Sequence, residues 1–160
     1  MNYASAIFNE GHTMYKRILV ATDGSNLSKK AVGHAIALAK LCDAELVGLS
    51  VVARYPTSYF EGGVALAPEE VSRIESQWME SGQSIVNSVK TLAASKGVAA
   101  KVVVSKSDLV AEAIIAAAKK HRCDLIVMAS HGRKGIKRLL LGSETQHVLT
   151  HSTTPVLVLR

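Results

Sequence analysis

Residues suited to phosphate binding lie close together near the C-terminal end of this 160-residue chain. Gly132 is followed by nine residues and then by the pair Gly142-Ser143. Glycine allows a backbone to approach a ligand closely or to adopt a positive φ. Ser143 and Gln146 have the spacing of a capping box, which predicts a helix whose first N–H groups and positive dipole end attract an anion. The segment favours phosphate binding, although a glycine beside a helix start is also common where no ligand binds.

Positive charge accompanies these glycines. The basic residues that follow Gly132 are Arg133, Lys134, Lys137 and Arg138. They would attract phosphate, although a basic run is also typical of a solvated surface. The formal net charge of +6 favours polyanionic or phosphate partners in general. Only 4% of the residues are aromatic, which is too few for a base-stacking platform, so we do not expect nucleic-acid binding.

A second polar residue that could hold a ligand, Asp23, follows an apolar run near the start of the chain. An aspartate at the end of a strand can accept hydrogen bonds from ribose hydroxyls, as acidic residues do in dinucleotide-binding folds. Asp23 could equally form an Asx turn that starts the following helix. The sequence leaves both roles open.

Other groups of reactive side chains are less suited to chemistry. Ser25 and Ser28 lack a His–acid relay, so nucleophilic hydrolysis is not supported. His147 and His151 are four residues apart on a predicted helix, but no third ligand is indicated, so we do not expect a zinc site. His131 could contact a phosphate, and its simpler role is a hydrogen bond to the backbone of its own loop.

Alternating strand and helix patterns position these residues. Short apolar runs predict five buried strands, at Ile18–Ala21, Leu46–Val52, Lys101–Val104, Leu125–Ala129 and Pro155–Leu159. Apolar residues at three- and four-residue spacing predict helices over 27–42, 68–97 and, with Ser107 as a cap, 107–122, followed by a short helix from Ser143. Residues 53–67 have no regular pattern and are predicted to form a loop.

Wholly apolar strands that alternate with helices imply a parallel sheet covered on both faces. The predicted fold class is α/β, a single five-stranded parallel sheet that is doubly wound and flavodoxin-like, with strand order 3-2-1-4-5. Ligands bind to such sheets where the winding reverses, at the carboxyl ends of the strands. That point lies between strands one and four, which lead into Thr22-Asp23-Gly24 and Ser130-His131-Gly132.

The composition, 48% hydrophobic and 20% charged, is typical of one globular domain. The domain is predicted to span residues 14–160, and residues 1–13 are predicted to be a flexible extension without the basic start of a secretory signal. No apolar run approaches the ~20 residues of a membrane-spanning helix, so we expect no membrane insertion. Cys42 and Cys123 have no metal-binding or redox spacing, which favours buried, reduced thiols and a cytoplasmic location.

The segment from Ala129 to Ser143 resembles the ATP signature of the universal stress protein family, Gly-x-x-Gly, nine residues, Gly-Ser/Thr. Gly132, the spacer and Gly142-Ser143 match this signature, and Ala129 stands where the family has its first glycine. The two ends of the fold are also similar to those of the family, with MYKRILVATDGS at 14–25 and STTPVLVL at 152–159. The resemblance covers residues 14–160 and preserves the order of the elements.

The resemblance implies an adenine nucleotide alpha hydrolase-like fold that holds ATP, with Mg2+ or Mn2+ carried by the phosphates. It implies that Asp23 holds the ribose and that Val51 lines the adenine pocket. Backbone contacts with the adenine would come from Ala21, Thr22 and Met128. The phosphates would be held mainly by main-chain N–H groups and the Ser143 hydroxyl, at Gly132, Arg133, Gly142, Ser143 and Glu144. The implied cofactor-binding set also includes Ala129.

The interpretation of the sequence is an ATP-binding protein that acts as a stress-response or regulatory switch. No general base is evident beside the phosphates, so hydrolysis is expected to be slow or absent, with weak ATPase activity or autophosphorylation left open. The resemblance implies a homodimer that pairs through the last strand, Val156–Leu159, since an unpaired apolar edge strand is prone to aggregate. The downstream protein partner is unidentified. The alternative, favoured by Ala129, is an interaction module of the same fold that binds no nucleotide and regulates a partner protein.

Overall fold

The structure, a computed structural model, describes residues 13–55, 67–132 and 141–160. Five strands and four helices alternate along these residues. The strands are β1 (Arg17–Ala21), β2 (Glu45–Val52), β3 (Ala100–Lys106), β4 (Leu125–Ala129) and β5 (Val156–Leu159). The helices are α1 (Asn26–Cys42), α2 (Pro68–Ser95), α3 (Val110–Lys120) and α4 (Ser143–His151). The predicted alternation is confirmed. Most of the predicted N-terminal extension 1–13, most of the loop 53–67 and the basic run after Gly132 lie outside the described residues.

All five strands are parallel and form one sheet in the order β3-β2-β1-β4-β5. β1 lies between β2 and β4, and its register pairs Ile18 with Leu46 on one side and with Leu125 on the other. The winding therefore reverses between β1 and β4. The predicted fold class and strand order are confirmed.

The strands are apolar because helices cover both faces of the sheet. Ile18 and Val20 of β1 are fully buried in a cluster with residues of α1 and α2. Leu19, between them, is fully buried in a second cluster, with residues of α3 and α4. Successive side chains of a strand point to opposite faces, so a strand with both faces covered needs apolar residues at every position.

Helix α2 lies close to the sheet at two glycines. A β-carbon at Gly82 of α2 would lie 2.8 Å from Cγ1 of Val52 and 3.0 Å from Cγ1 of Val104. A β-carbon at Gly48 of β2 would lie 3.1 Å from Cγ1 of Val89 in α2. The two glycines therefore allow an approach that side chains would hinder. No helix within the described ranges, α2 included, is both long and apolar enough to cross a membrane.

The start of α3 differs from its prediction. The helix begins at Val110, and the Ser107 hydroxyl accepts the Leu109 N–H at 3.1 Å in a tight turn before the helix, so the prediction of Ser107 as its cap is wrong. Oε2 of Glu144, on α4, instead accepts the N–H of Ala111 at 2.9 Å. A partner distant in sequence therefore accepts one backbone N–H of the first turn of α3.

The two cysteines are free, as predicted, but their surroundings differ. Cys123 is buried, and burial raises the pKa of its thiol to about 11, which keeps the thiol protonated at neutral pH. Cys42, the last residue of α1, is only partly buried. The prediction of a buried thiol is therefore right for Cys123 and wrong for Cys42.

Candidate functional site

Three chain segments meet at the carboxyl edge of the sheet, between β1 and β4. β1 leads into Thr22-Asp23-Gly24, and β4 leads into Ser130-His131-Gly132. Because β1 and β4 are paired and parallel, both turns leave the sheet at the same edge. The N-terminus of α4 joins them, since the Gly142 N–H donates to the Ser130 carbonyl at 2.8 Å. The three segments form one crevice at the point where the winding reverses.

Thr22 uses most of its polar groups to organise the turn after β1. Its N–H donates to the Leu49 carbonyl at 2.9 Å, and its buried hydroxyl lies 3.0 Å from the Ser28 hydroxyl. The same hydroxyl accepts the Gly24 N–H at 3.2 Å. Gly24 has a φ of 77°, a conformation that favours glycine. The backbone contact implied for Thr22 would therefore come from its carbonyl, because its N–H is engaged.

Asp23 forms the predicted Asx turn. Its Oδ1 accepts the Ser25 N–H at 3.0 Å, and the Ser25 side chain in turn caps α1 by accepting the Ser28 N–H at 3.2 Å. The second carboxylate oxygen, Oδ2, lies on the side of the crevice toward Gly132. The Asx role is confirmed, and the ribose role stays a prediction that this geometry accommodates.

Glycine is needed at position 132 because the backbone there lies close to Asp23, and not because of its backbone conformation. Its φ is not positive, unlike those of Gly24 and Gly97. A β-carbon at residue 132 would lie 2.6 Å from Oδ2 of Asp23, closer than a side chain can normally come. The turn after β4 therefore passes directly against the aspartate that follows β1.

Ala129 occupies an ordinary strand position. It pairs with Leu159 of β5, its side chain is buried, and its φ is not positive. Its carbonyl accepts the hydroxyl of Thr145 at 3.0 Å. The alanine in place of the signature's first glycine therefore causes no backbone strain.

The start of α4 presents uncapped N–H groups to the crevice. The helix begins at Ser143, and Gly142 occupies the cap position without a side-chain cap. The predicted capping box is wrong, because Ser143 is already helical and the Gln146 N–H donates to the Gly142 carbonyl at 2.9 Å. The Ser143 hydroxyl is exposed and forms no hydrogen bond with a described residue. Free donors at a helix N-terminus attract anions more strongly than capped ones.

Side chains of α4 hold this helix start in place. Thr145 is buried and donates to the Ala129 carbonyl, at the end of β4. Glu144 points to α3 and accepts the Ala111 N–H at 2.9 Å. The carboxylate of Glu144 is therefore turned to a neighbouring helix, and a ligand contact with this residue would use its main chain.

The residues implied for adenine contacts lie at the carboxyl ends of three strands. Ala21 of β1 and Val51 of β2 are partly buried and pack against the core cluster beside α3 and α4. Met128 of β4 is buried in the same cluster. The structure thus brings Ala21, Val51 and Met128 to one face of the sheet. Arg133, the remaining implied phosphate contact, lies outside the described residues.

Lys30 and Arg160 are candidate ligand-binding residues that sequence analysis did not single out. A cavity of about 500 Å³ opens beside Ser130 and His131 and is also lined by Asn26, Leu27, Lys30 and Arg160. Topology could have indicated Lys30, because the first helix of a doubly wound sheet starts beside the crevice. Nδ1 of His131 lies 3.1 Å from the Ser130 hydroxyl, so its partner is a side chain and not the predicted loop backbone.

The histidines of α4 pair with each other and with α3. The rings of His147 and His151 stack with centroids 4.1 Å apart, and Nε2 of His147 lies 2.8 Å from Oε1 of Glu112. Within the described ranges, no group of three or more His, Cys, Asp or Glu residues is arranged to hold a metal ion.

The fold and the crevice define a class of protein, a doubly wound α/β domain with a free helix N-terminus beside the junction of β1 and β4. Within that class the chain belongs to the universal stress protein family, whose family model matches residues 14–160. The resemblance drawn from the sequence motifs is confirmed by this match.

Individual relatives support the same assignment. Universal stress protein MJ0531 of Methanocaldococcus jannaschii is 36% identical over 156 residues, which cover 98% of this chain and 88% of the relative. The solved structure of universal stress protein UspA from Lactobacillus plantarum has a TM-score of 0.78 and 25% identity, and the match covers 91% of this chain and 98% of that one. A universal stress protein solved in complex with cAMP has a TM-score of 0.61 and 25% identity, with 90% and 95% covered.

Proposed function

We propose that this chain is a regulatory switch protein of its family that holds ATP in the crevice between β1 and β4. The observation that carries the proposal is the uncapped start of α4 beside the glycine turn after β4. A helix N-terminus of this kind attracts phosphate through its free N–H donors and its dipole. The relative solved with cAMP, an adenine nucleotide, supports the same class of ligand.

The proposed nucleotide lies with its base over the strand ends and its phosphates at α4. Ala21 and Val51, which are partly buried, would border the adenine. Asp23 would accept a ribose hydroxyl through its carboxylate, whose Oδ1 also accepts the Ser25 N–H in the Asx turn. The phosphates would be held by the Gly132 turn, by the N–H groups of Ser143 and Glu144 and by the Ser143 hydroxyl.

Positive charge at the phosphate end would come from side chains and from a metal ion. Lys30 and Arg160 line the cavity beside Ser130, where they would attract the phosphates. Mg2+ or Mn2+ would neutralise phosphate charge and be carried by the phosphates themselves.

Retention of the nucleotide, with slow hydrolysis or none, is proposed from the engagement of two carboxylates. Oδ1 of Asp23 accepts the Ser25 N–H, and the Glu144 carboxylate accepts the Ala111 N–H on α3. A general base must lie within hydrogen-bond reach of the attacking water, and Glu144 is turned away from the crevice. A nucleotide that is bound and not hydrolysed suits a protein that signals by its occupied state.

The proposed assembly is a homodimer that pairs through β5. β5 is an edge strand of the described sheet, and Leu157 on it is 40% exposed. Edge strands with exposed apolar residues tend to pair with another chain. The proposed location is the cytoplasm, because free cysteines such as Cys42 and Cys123 are typical of a reducing compartment.

The direct test is to denature the purified protein and to identify any released nucleotide by chromatography and mass spectrometry. We expect adenine nucleotide to be released. We also expect Mg-ATP to raise the Tm of nucleotide-free protein, since ligand at a hundred times its Kd stabilises a protein by about 2.7 kcal/mol. No released nucleotide together with an unchanged Tm at millimolar Mg-ATP would contradict the proposal. That result would favour the interaction module without nucleotide.

A further inference from the structure

A second cleft lies at the opposite edge of the sheet from the crevice, where β1, β2 and β3 begin and α3 ends. Its volume is about 670 Å³, within the range of small-molecule sites. The charged and titratable residues that line it are Arg17, Glu45, Lys101, Lys120, His121 and Arg122. None of the residues that line this cleft belongs to the crevice, so the two sites are separate.

The lining of this cleft carries an excess of positive charge. Glu45 is the acidic residue of the described lining, and its carboxylate is already paired with Arg17, at 2.6 Å from Nη2. Lys101, Lys120 and Arg122 form no ion pair with any described residue. Three cations are therefore available to an anion that enters the cleft.

Cations from three elements line the cleft around His121. The pKa of the His121 imidazole is lowered, first by burial and then by the charges of Lys101, Lys120 and Arg17. These cations belong to β3, to the end of α3 and to β1. Cations at the C-terminal end of a helix often only complement its dipole. That role accounts for Lys120, for Arg122 and for Arg17, which donates to the carbonyl of the C-cap residue His121, but not for Lys101 on β3.

The side of the cleft formed by β1 and α3 is held by hydrogen bonds. Nη1 of Arg17 donates to the His121 carbonyl at 2.9 Å. The carboxylate of Asp124 accepts the N–H groups of Lys16 and Arg17, at 2.8 Å and 3.1 Å. Asp124 is therefore engaged by the backbone at the start of β1, and the guanidinium of Arg17 is fixed in place before any ligand binds.

We propose that this cleft is a second binding site, for a small, multiply charged phosphate compound. Guanidinium and ammonium groups suit phosphate oxygens by charge and by hydrogen bonding, and the neutral imidazole of His121 can add a further hydrogen bond. A diphosphate group carries a negative charge of the size that the three unpaired cations would balance. The proposal is independent of ATP binding at the crevice.

The test uses inorganic pyrophosphate as the probe and the full chain as the protein. Binding is measured by calorimetry at constant ionic strength for the wild type, for the double variant Lys101→Gln/Lys120→Gln and for Lys90→Gln. Lys90 is an exposed cation on α2 outside the cleft and serves as the control for the loss of one charge. We expect the double variant to bind about tenfold more weakly or worse, since each lost contact is a charge-assisted hydrogen bond, and Lys90→Gln to bind like the wild type.

NMR identifies the site that pyrophosphate occupies. We expect amide shifts at residues 121–124 and a rise in the pKa of His121, because a bound anion favours the imidazolium. The charged groups around His121 in this experiment are Arg17, Glu45, Lys101, Lys120, Arg122 and Asp124. Equal affinities in the three proteins, amide shifts confined to Gly132 and Ser143, or the same shifts produced by sodium chloride at matched ionic strength would each overturn the proposal.

Discussion

Gly132 and Asp23 lie against each other across the crevice, with no space for a side chain between them. Because a β-carbon at residue 132 would lie 2.6 Å from Oδ2 of Asp23, a substitution there must displace the carboxylate. The same carboxylate is proposed to hold the ribose, and the same turn is proposed to hold the phosphates. Residue 132 therefore tests two parts of the proposed site at once.

We predict that Gly132→Val weakens ATP binding by about tenfold or more, which corresponds to about 1.4 kcal/mol, because it moves Asp23 and blocks the turn. The measurement is the rise in Tm with Mg-ATP, together with far-ultraviolet circular dichroism to follow the fold. Gly33→Val is the matched control, because a β-carbon at Gly33 of α1 meets nothing within 4 Å. Full stabilisation by Mg-ATP in folded Gly132→Val would show that the phosphates lie elsewhere.

His121 predicts a pH dependence of stability. Its pKa in the folded protein is below its usual value of 6.5, because burial and neighbouring cations disfavour the imidazolium. The unfolded chain then binds a proton more readily, so a fall in pH favours unfolding. The contribution of His121 is present above the unfolded pKa and is lost as the pH falls through that value toward the folded pKa.

We therefore predict that His121→Asn loses less stability than the wild type between about pH 7 and pH 5, the interval in which histidine titrates. Urea denaturation at each pH measures the free energy of unfolding. His34→Asn, on the exposed face of α1, is the control and should follow the wild type. A loss in His121→Asn as large as that of the wild type would contradict the sign of the shift.

At the scale of the elements, α2 packs against the sheet through Gly82. A β-carbon there would lie 2.8 Å from Val52 and 3.0 Å from Val104, and both are β-branched side chains with little freedom to turn away. Added volume in a packed interface typically costs about 1–3 kcal/mol. Alanine in a helix gains up to about 1 kcal/mol over glycine, so the packing cost exceeds the gain.

We predict that Gly82→Ala lowers the free energy of unfolding by about 1 kcal/mol, the difference between these terms. Gly33→Ala is the same change on α1, where a β-carbon meets nothing within 4 Å. It should raise the free energy of unfolding by at most about 1 kcal/mol. Urea denaturation of the two variants measures both effects. An increase in the stability of Gly82→Ala would mean that α2 moves away from the sheet more easily than the packing suggests.

Helix starts show where sequence patterns are insufficient. Ser107 and Ser143 both have the local pattern of a cap, and neither caps its helix. At α3 the backbone N–H of Ala111 donates instead to Glu144, which is 33 residues away in sequence and adjacent in the fold. A local sequence pattern includes only hydrogen-bond partners that are close in sequence, so it cannot predict a hydrogen bond from a side chain on another helix.

At the scale of the whole molecule, the fold is predictable from the sequence because the wholly apolar runs indicate strands that are buried on both faces. Residues 18–21 of β1 and all residues of β4 are apolar, which requires cover on both faces of the sheet, as a doubly wound fold provides. The position of the crevice follows from the strand order of this fold. Lys30 could have been indicated by the same order, because the first helix starts beside the crevice. The basic cleft around Lys101 is not predictable in this way, because it depends on which side chains from separate elements converge.

The proposed homodimer also concerns the whole molecule. We predict that Leu157→Lys converts the proposed dimer to a monomer, because a charge on an edge strand opposes pairing with a second copy. Analytical ultracentrifugation measures the mass in solution. Leu41→Lys places the same charge on α1, where the leucine is 84% exposed, and should leave the mass unchanged. A wild-type protein that sediments as a monomer with and without Mg-ATP would rule out the proposed assembly.

Ser130 joins the ligand end of the molecule to its edge strand through its own peptide groups. Its N–H donates to the Leu159 carbonyl at 2.7 Å, and its carbonyl accepts the Gly142 N–H at 2.8 Å. A movement of α4 toward or away from the crevice must therefore stretch one of these bonds or carry the end of β5 with it. In the proposed switch, nucleotide binding at the crevice and pairing of two copies through β5 would thus be coupled through the backbone of one residue.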